Sequence, residues 1–141
     1  MQLVIFSLQD KLYGMPSVAV EEITGAVSWT AVPKAPKWLL GLINLRGNVI
    51  SLLHYERFMN IEDKTQDSEK LCYNNTIIIK HNGKQMALAV DKVHEVIDIS
   101  EEEVQLPVEG EGLLRGVFSR NDVVISLIRL STLFSKNEGS N

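Results

Sequence analysis

The sequence predicts a mainly β protein made of two small closed barrels, five short strands to each, and three observations lead there. The tetrapeptide Val-Ile-Ser-Leu occurs twice, at residues 49–52 and 124–127, each time beginning eight residues after a glycine, Gly41 and Gly116. Short apolar runs separated by turn residues recur about every ten residues, while helical periodicity is scarce. The two halves also match beyond the tetrapeptide. The offset from Val20 to Val93 sets Val4 on Ile77, Phe6 on Ile79, Glu22 on Glu95 and Ile23 on Val96. The offset from Val49 to Val124 is two residues longer and sets Leu53 on Ile128 and Tyr55 on Leu130. A repeat of roughly seventy residues exceeds the ~20–50 of solenoid units, so it implies one duplicated domain.

The elements follow in order. Residues 3–8 (LVIFSL) and 12–15, joined through Gln9-Asp10-Lys11, form a hairpin, and residues 76–80 (TIIIK) with 85–90 (QMALAV) form its second copy around Asn82-Gly83. Asn-Gly supplies the positive φ angles of a tight turn. Both copies continue through a Val-x-x-Ile/Val segment, at 20–23 and 93–97, and close with strand pairs at 42–45 with 49–53 and 116–118 with 123–128. Residues 36–40 read as one helical turn, with Pro36 at its start and Gly41 as a left-handed stop. Glu109 to Leu114 is the weaker second copy, and residues 55–59 and 131–134 each read as a terminal turn. The expected organisation is one domain over 1–141: a first subdomain at about 3–60, a polar linker at 61–70 (IEDKTQDSEK), a second subdomain at about 71–134, and a disordered tail at 135–141. Halves of about sixty residues are near the lower limit for separate cores, so they are expected to share buried surface.

Composition narrows the function. A formal charge of −4 with scattered Lys and Arg argues against nucleic-acid binding, which needs a clustered basic face. The absence of any run of ~18 apolar residues, or of a basic leader with a cleavage site, argues against membrane insertion and for the cytoplasm. The single cysteine, Cys72, cannot make an internal disulfide. His54, His81 and His94 are far apart, no zinc spacing or phosphate loop is present, and Ser100 before Glu101-Glu102-Glu103 reads as a capped turn on a solvated face. No catalytic, metal or cofactor site is expected. Two features stand out instead. Residues 32–42 (VPKAPKWLLGL) carry enough apolar surface to lid a barrel or meet a partner, with a core lid the simpler reading. Glu22, on a strand, and Arg46, at the turn Asn44-Leu45-Arg46-Gly47, could meet as a bidentate pair if their strands adjoin, although on periodicity alone a surface arginine in a turn is the default.

Taken together, Val20-Glu21-Glu22-Ile23, Val32-Pro33-x-x-Pro36, Gly41-Leu42-Ile43-Asn44-Leu45-Arg46-Gly47-Asn48-Val49-Ile50, and Ala89-Val90-Asp91-Lys92-Val93-x-x-Val96 resemble the CheW family of bacterial chemotaxis adaptors. The resemblance covers nearly the whole chain, about residues 3–134. It implies two SH3-like barrels related by a pseudo-twofold and packed on a common apolar layer. It implies a non-catalytic protein, monomeric when isolated and recruited from the cytoplasm to membrane receptor arrays. Its partners would be the regulatory domain of a CheA-type histidine kinase, docked end to end, and the cytoplasmic tip of chemoreceptors, lying in a groove between barrels. Val20, Ile77, Val93 and Val96 match apolar groove positions, Glu22 and Arg46 match a pair tied to function, and Gly41 matches a position that requires a small residue. No receiver domain is expected after Phe134. The alternatives are an adaptor of a non-flagellar chemosensory pathway or a purine-binding barrel, though no phosphate cradle supports the latter. The sequence departs from the family at Ser51, His54, Glu56 and Arg129, and the altered charges would change which kinase or receptor is recognised.

Overall fold

The computed structural model describes residues 1–58, 73–106, 112 and 114–139. The linker at 61–70, Cys72 and residues 109–111 and 113 of the turn expected at 109–114 lie outside the described residues. Ten strands are described: β1 (Gln2–Leu8), β2 (Lys11–Pro16), β3 (Val20–Thr24), β4 (Leu39–Leu45), β5 (Asn48–His54), β6 (Asn75–His81), β7 (Lys84–Val90), β8 (Lys92–Asp98), β9 (Leu114–Arg120) and β10 (Val123–Ile128). Two helices, α1 (Tyr55–Phe58) and α2 (Leu130–Gly139), follow β5 and β10. Asn82 and Gly83 take φ values of 51° and 80°, the geometry expected of the β6–β7 turn.

The strands form two five-stranded sheets, the first in the order β8-β1-β2-β10-β9 and the second in the order β3-β6-β7-β5-β4. Residues 3–60 and 71–134 therefore do not each close on themselves as expected; the repeats exchange hairpins. The β1–β2 hairpin of the first repeat is spliced to β10 by parallel pairing, Leu12 opposite Ile125, and the β6–β7 hairpin is spliced to β5, Leu52 opposite Ala87. The cause is in the connections. After β2 the chain crosses to the other sheet through a 3-10 turn, Ser17–Ala19, and after β7 it crosses through Asp91 alone. Each crossing carries the chain directly from one sheet into the other.

This topology buries the central strands on both faces, which explains their uninterrupted apolar runs. Along β1, Leu3 and Ile5 point into the interior of the first sheet, while Val4, Phe6 and Leu8 point into a layer between the sheets. Along β6 and β7, Ile78, Ala87 and Ala89 fill the interior of the second sheet, and Ile77, Ile79, Met86, Leu88 and Val90 join the same middle layer. Phe6, Tyr13, Tyr55 and Phe58 pack there, Phe6 edge-on to Tyr55 at 5.6 Å between centroids. A fully buried aliphatic or aromatic side chain stabilises by ~1.5–3 kcal/mol, against ~0–1 for a surface ion pair, so the middle layer holds the sheets together. Burial pushes the Tyr55 phenol well above its usual pKa, and burial with the Glu56 charge raises that of Tyr13, so both hydroxyls stay neutral.

Both repeat glycines have a steric cause. Thr30 bridges to Leu42 across β4, and Gln105 bridges to Val117 across β9. A Cβ at Gly41 would fall on the Thr30 carbonyl, and one at Gly116 would stand 2.8 Å from the Gln105 carbonyl oxygen. Gly41 is thus not the stop of a helical turn. Only Lys37 and Trp38 form a turn, and Leu39 and Leu40 already belong to β4, because the crossing segment needs a strand beneath it. At the other end, the disordered tail expected from residue 135 is instead helical to Gly139. Leu133 and Phe134 anchor α2 in the middle layer, and no Pro or Gly interrupts it before Gly139.

Candidate partner-binding site

The Val-x-x-Ile/Val segments do not follow the two-residue period of a strand, and the pairing shows why. In β3, Val20 faces Ile79 and Ile23 faces Ile77 across a register shift at Glu21. In β8, Val93 faces Phe6 and Val96 faces Val4 across an equivalent shift at His94. One bulged residue turns a three-residue spacing into a same-face pair, so all four apolar side chains point toward the middle layer. β3 and β8 are edge strands of different sheets. The Asn75 side chain joins them, donating from Nδ2 to the Thr24 carbonyl at 3.3 Å and accepting from the Val93 N–H at 2.9 Å. The result is a seam between the sheets. Val20 and Val93 pack against the core at its base, while Ile23 and Val96 remain 41% and 55% exposed.

The other expected site residues divide clearly. Ile77 lies beneath the seam with no exposed surface, so it supports the floor and is not open to contact. Gly41 is buried under Thr30 and serves the crossing described above. Glu22 and Arg46 do meet, but through one contact, Arg46 Nη2 to Glu22 Oε1 at 2.7 Å, not a fork. The other carboxylate oxygen, Oε2, is buried and has no hydrogen-bond partner among the described residues. Because β3 carries the bulge, Glu22 points away from the seam valines, opposite Ile78, and reaches the β4–β5 turn. Arg46 holds φ at 51° there, beside a Gly47 N–H donating to Asn44 Oδ1 at 2.9 Å. A single strand, β3, thus presents an apolar face to the seam and a charged one to the mouth of the second sheet.

One expectation about partner choice changes. His54 and Glu56 are 5% and 6% exposed, so their departures from the family cannot read a partner by surface charge; Gln9 Nε2, on an exposed turn residue, donates to Glu56 at 3.3 Å. The segment at 32–42 is a lid: Trp38 meets Phe58 edge-on at 5.4 Å, and Leu40 enters the second sheet's interior. Sequence reading missed Asn75 and Trp29. Asn75 looks like an ordinary residue opening a strand, and Trp29, tilted over Tyr73 at 6.2 Å, sits in a stretch without periodicity. Ile23 was findable, since the repeat sets it on Val96.

Two duplicated sheets, a shared apolar layer and a half-exposed seam at their joint define a scaffold that works by presenting surfaces to other proteins. The chain belongs to the CheW-like domain family, whose profile matches residues 2–138. It is 26% identical to the chemotaxis protein CheW of Treponema pallidum, covering 97% of this chain and 84% of that one. It is 25% identical to that of Helicobacter pylori, covering 97% and 83%. The crystal structure of the scaffolding protein TtCheW from Thermoanaerobacter tengcongensis superposes with a TM-score of 0.84 at 30% identity, over 99% of this chain and 96% of that one. The protein is a chemotaxis adaptor of a family that is not catalytic. Among the described residues no helix is long and apolar enough to cross a membrane.

Proposed function

We propose that this adaptor joins the cytoplasmic tip of chemoreceptors to the regulatory domain of a CheA-type histidine kinase, in the cytoplasm at membrane receptor arrays. The receptor tip, an α-helical hairpin, would lie along the β3/β8 seam. The kinase domain would dock end to end on a barrel mouth, with Glu22 and Arg46 coupling the two events through β3. The single observation that carries the reading is the placing of Val20, Ile23, Val93 and Val96 on one half-exposed face by two equivalent bulges. An apolar strip with charged residues beside it suits an amphipathic helix, which binds through apolar anchors and takes specificity from flanking polar contacts. Signalling follows if receptor contacts favour one kinase arrangement over another, since a partner shifts an equilibrium only by its difference in affinity between states.

The test is a binding titration with a recombinant receptor-tip hairpin. Val96→Asp places a charge on the exposed strip and is expected to weaken binding by at least tenfold, the ~1.4 kcal/mol or more lost when an apolar contact becomes a desolvated charge. Lys80→Asp, on the exposed side of β6, is expected to change it less than twofold. Equal losses in the two variants would refute the seam assignment.

A further inference from the structure

Where the chain crosses between sheets after β7, the two walls of the seam are held by one side chain. Asn75 opens β6 opposite Val90, the last residue of β7, and the crossing residue Asp91 follows Val90 directly. From this position the amide reaches the carbonyl of Thr24 at the end of β3 and the N–H of Val93 near the start of β8. One group must donate and the other must accept, and a carboxamide does both from two separate atoms, which a carboxylate cannot. Among the described residues the equivalent crossing after β2 has nothing comparable: Ser17 Oγ approaches Gln2 Oε1 at 3.4 Å in an exposed position.

We infer that Asn75 is a positioning residue that sets the separation of the seam walls, and with it the affinity for a helical partner, without touching that partner. Val93 stands on the β8 wall and Thr24 adjoins Ile23 on the β3 wall, so the amide spans the groove beneath the bound helix. Loss of either bond frees one wall. Asn75→Asp keeps the shape and the acceptor for Val93 but sets a carboxylate oxygen against the Thr24 carbonyl, which removes the β3 tie specifically. The effect on coupling rests on the receptor tip occupying the seam, whereas the clasp itself can be measured on the free protein.

Amide hydrogen exchange read by NMR at Val93, with titration of the receptor-tip hairpin, tests both parts. Asn75→Ala is expected to raise exchange at Val93 and Asn75→Asp, which keeps the acceptor, to leave it near wild type, while each is expected to weaken tip binding by about fivefold to tenfold, the range of a lost partly buried hydrogen bond. Ile125→Val, which thins the interior of the first sheet away from the seam, serves as the control for general destabilisation. It is expected to lower the thermal midpoint while leaving Val93 exchange relative to global unfolding, and tip affinity, unchanged. Unaltered Val93 exchange in Asn75→Ala would overturn the clasp. Equal loss of tip affinity in Ile125→Val would overturn a positioning role. Raised exchange with unchanged tip affinity, where Val96→Asp abolishes binding, would overturn the link from wall separation to affinity. If Val96→Asp also left binding intact, the seam reading and the coupling would fall together, and Val93 exchange would still decide whether Asn75 holds the walls.

Discussion

The two sheets close their mouths with the same device built from different residues. In the first sheet, Arg120 at the end of β9 reaches across to the opposite edge, donating to the Asp98 carbonyl at 3.2 Å and to Glu103 Oε2 at 3.2 Å. In the second, Arg46 in the β4–β5 turn reaches across to Glu22 on β3. The first latch is multiply tied: Glu103 also accepts from the Ser100 N–H at 3.3 Å, and the Arg120 side chain is 39% exposed. The second is a single contact from a side chain 75% exposed, to a carboxylate whose other oxygen has no hydrogen-bond partner among the described residues. The same device is thus tied more tightly at the first mouth than at the second, where the Arg46 side chain lies largely in solvent.

The comparison breaks first at the glycines. Gly41→Ala should destabilise by roughly 2–3 kcal/mol and Gly116→Ala by roughly 1–2, read from denaturant midpoints, because the crossing backbone presses closer on Gly41. Equal, small losses would mean that both crossings yield easily and that the repeat glycines need another cause. The next largest effect separates the latches. Arg120→Ala should lower the thermal midpoint by a few degrees and leave partner capture intact, while Arg46→Ala should leave the midpoint near wild type and reduce capture of the kinase. The opposite pattern would reverse the roles assigned to the two mouths.

The smallest effect sharpens the comparison through pH. The Ser100 N–H and then the Arg120 guanidinium hold the Glu103 carboxyl below the usual carboxylate range. A depressed folded value means the latch contributes above the unfolded pKa, near 4.5, and is lost as pH falls through the folded value. Wild type should therefore exceed Glu103→Gln slightly in thermal midpoint at neutral pH, with the gap closing in acid below the carboxylate range. A gap that persisted there would show that the latch does not depend on Glu103 ionisation.

Much of the fold was legible because it is written in short-range patterns. Asn82-Gly83 marks a tight turn wherever it falls, the doubled Val-Ile-Ser-Leu marks equivalent strands, and five strand segments per copy can be counted directly. The exchange of hairpins was not legible. The β1–β2 and β6–β7 hairpins carry nearly the same apolar pattern on both faces, so local pairing energy does not distinguish a partner in the same repeat from one in the other. The site was legible in part for a related reason: the repeat identified the valines as equivalent, but the three-residue spacing makes sense only once the bulges at Glu21 and His94 are seen. His54 and Glu56 misled because charge in a sequence suggests surface, and only the middle layer reveals that both are enclosed.

By itself the sequence determined that this protein is a duplicated β scaffold, what its strands are and which residues could meet a partner, since turn chemistry and side-chain alternation act over a few residues. Tertiary structure alone decided which hairpin completes which sheet, that Ile77 and Gly41 lie below the surface, and that Asn75 bonds both walls of the seam. Those outcomes depend on the reach of two short crossings and on contacts between residues distant in the chain, and no local pattern encodes either.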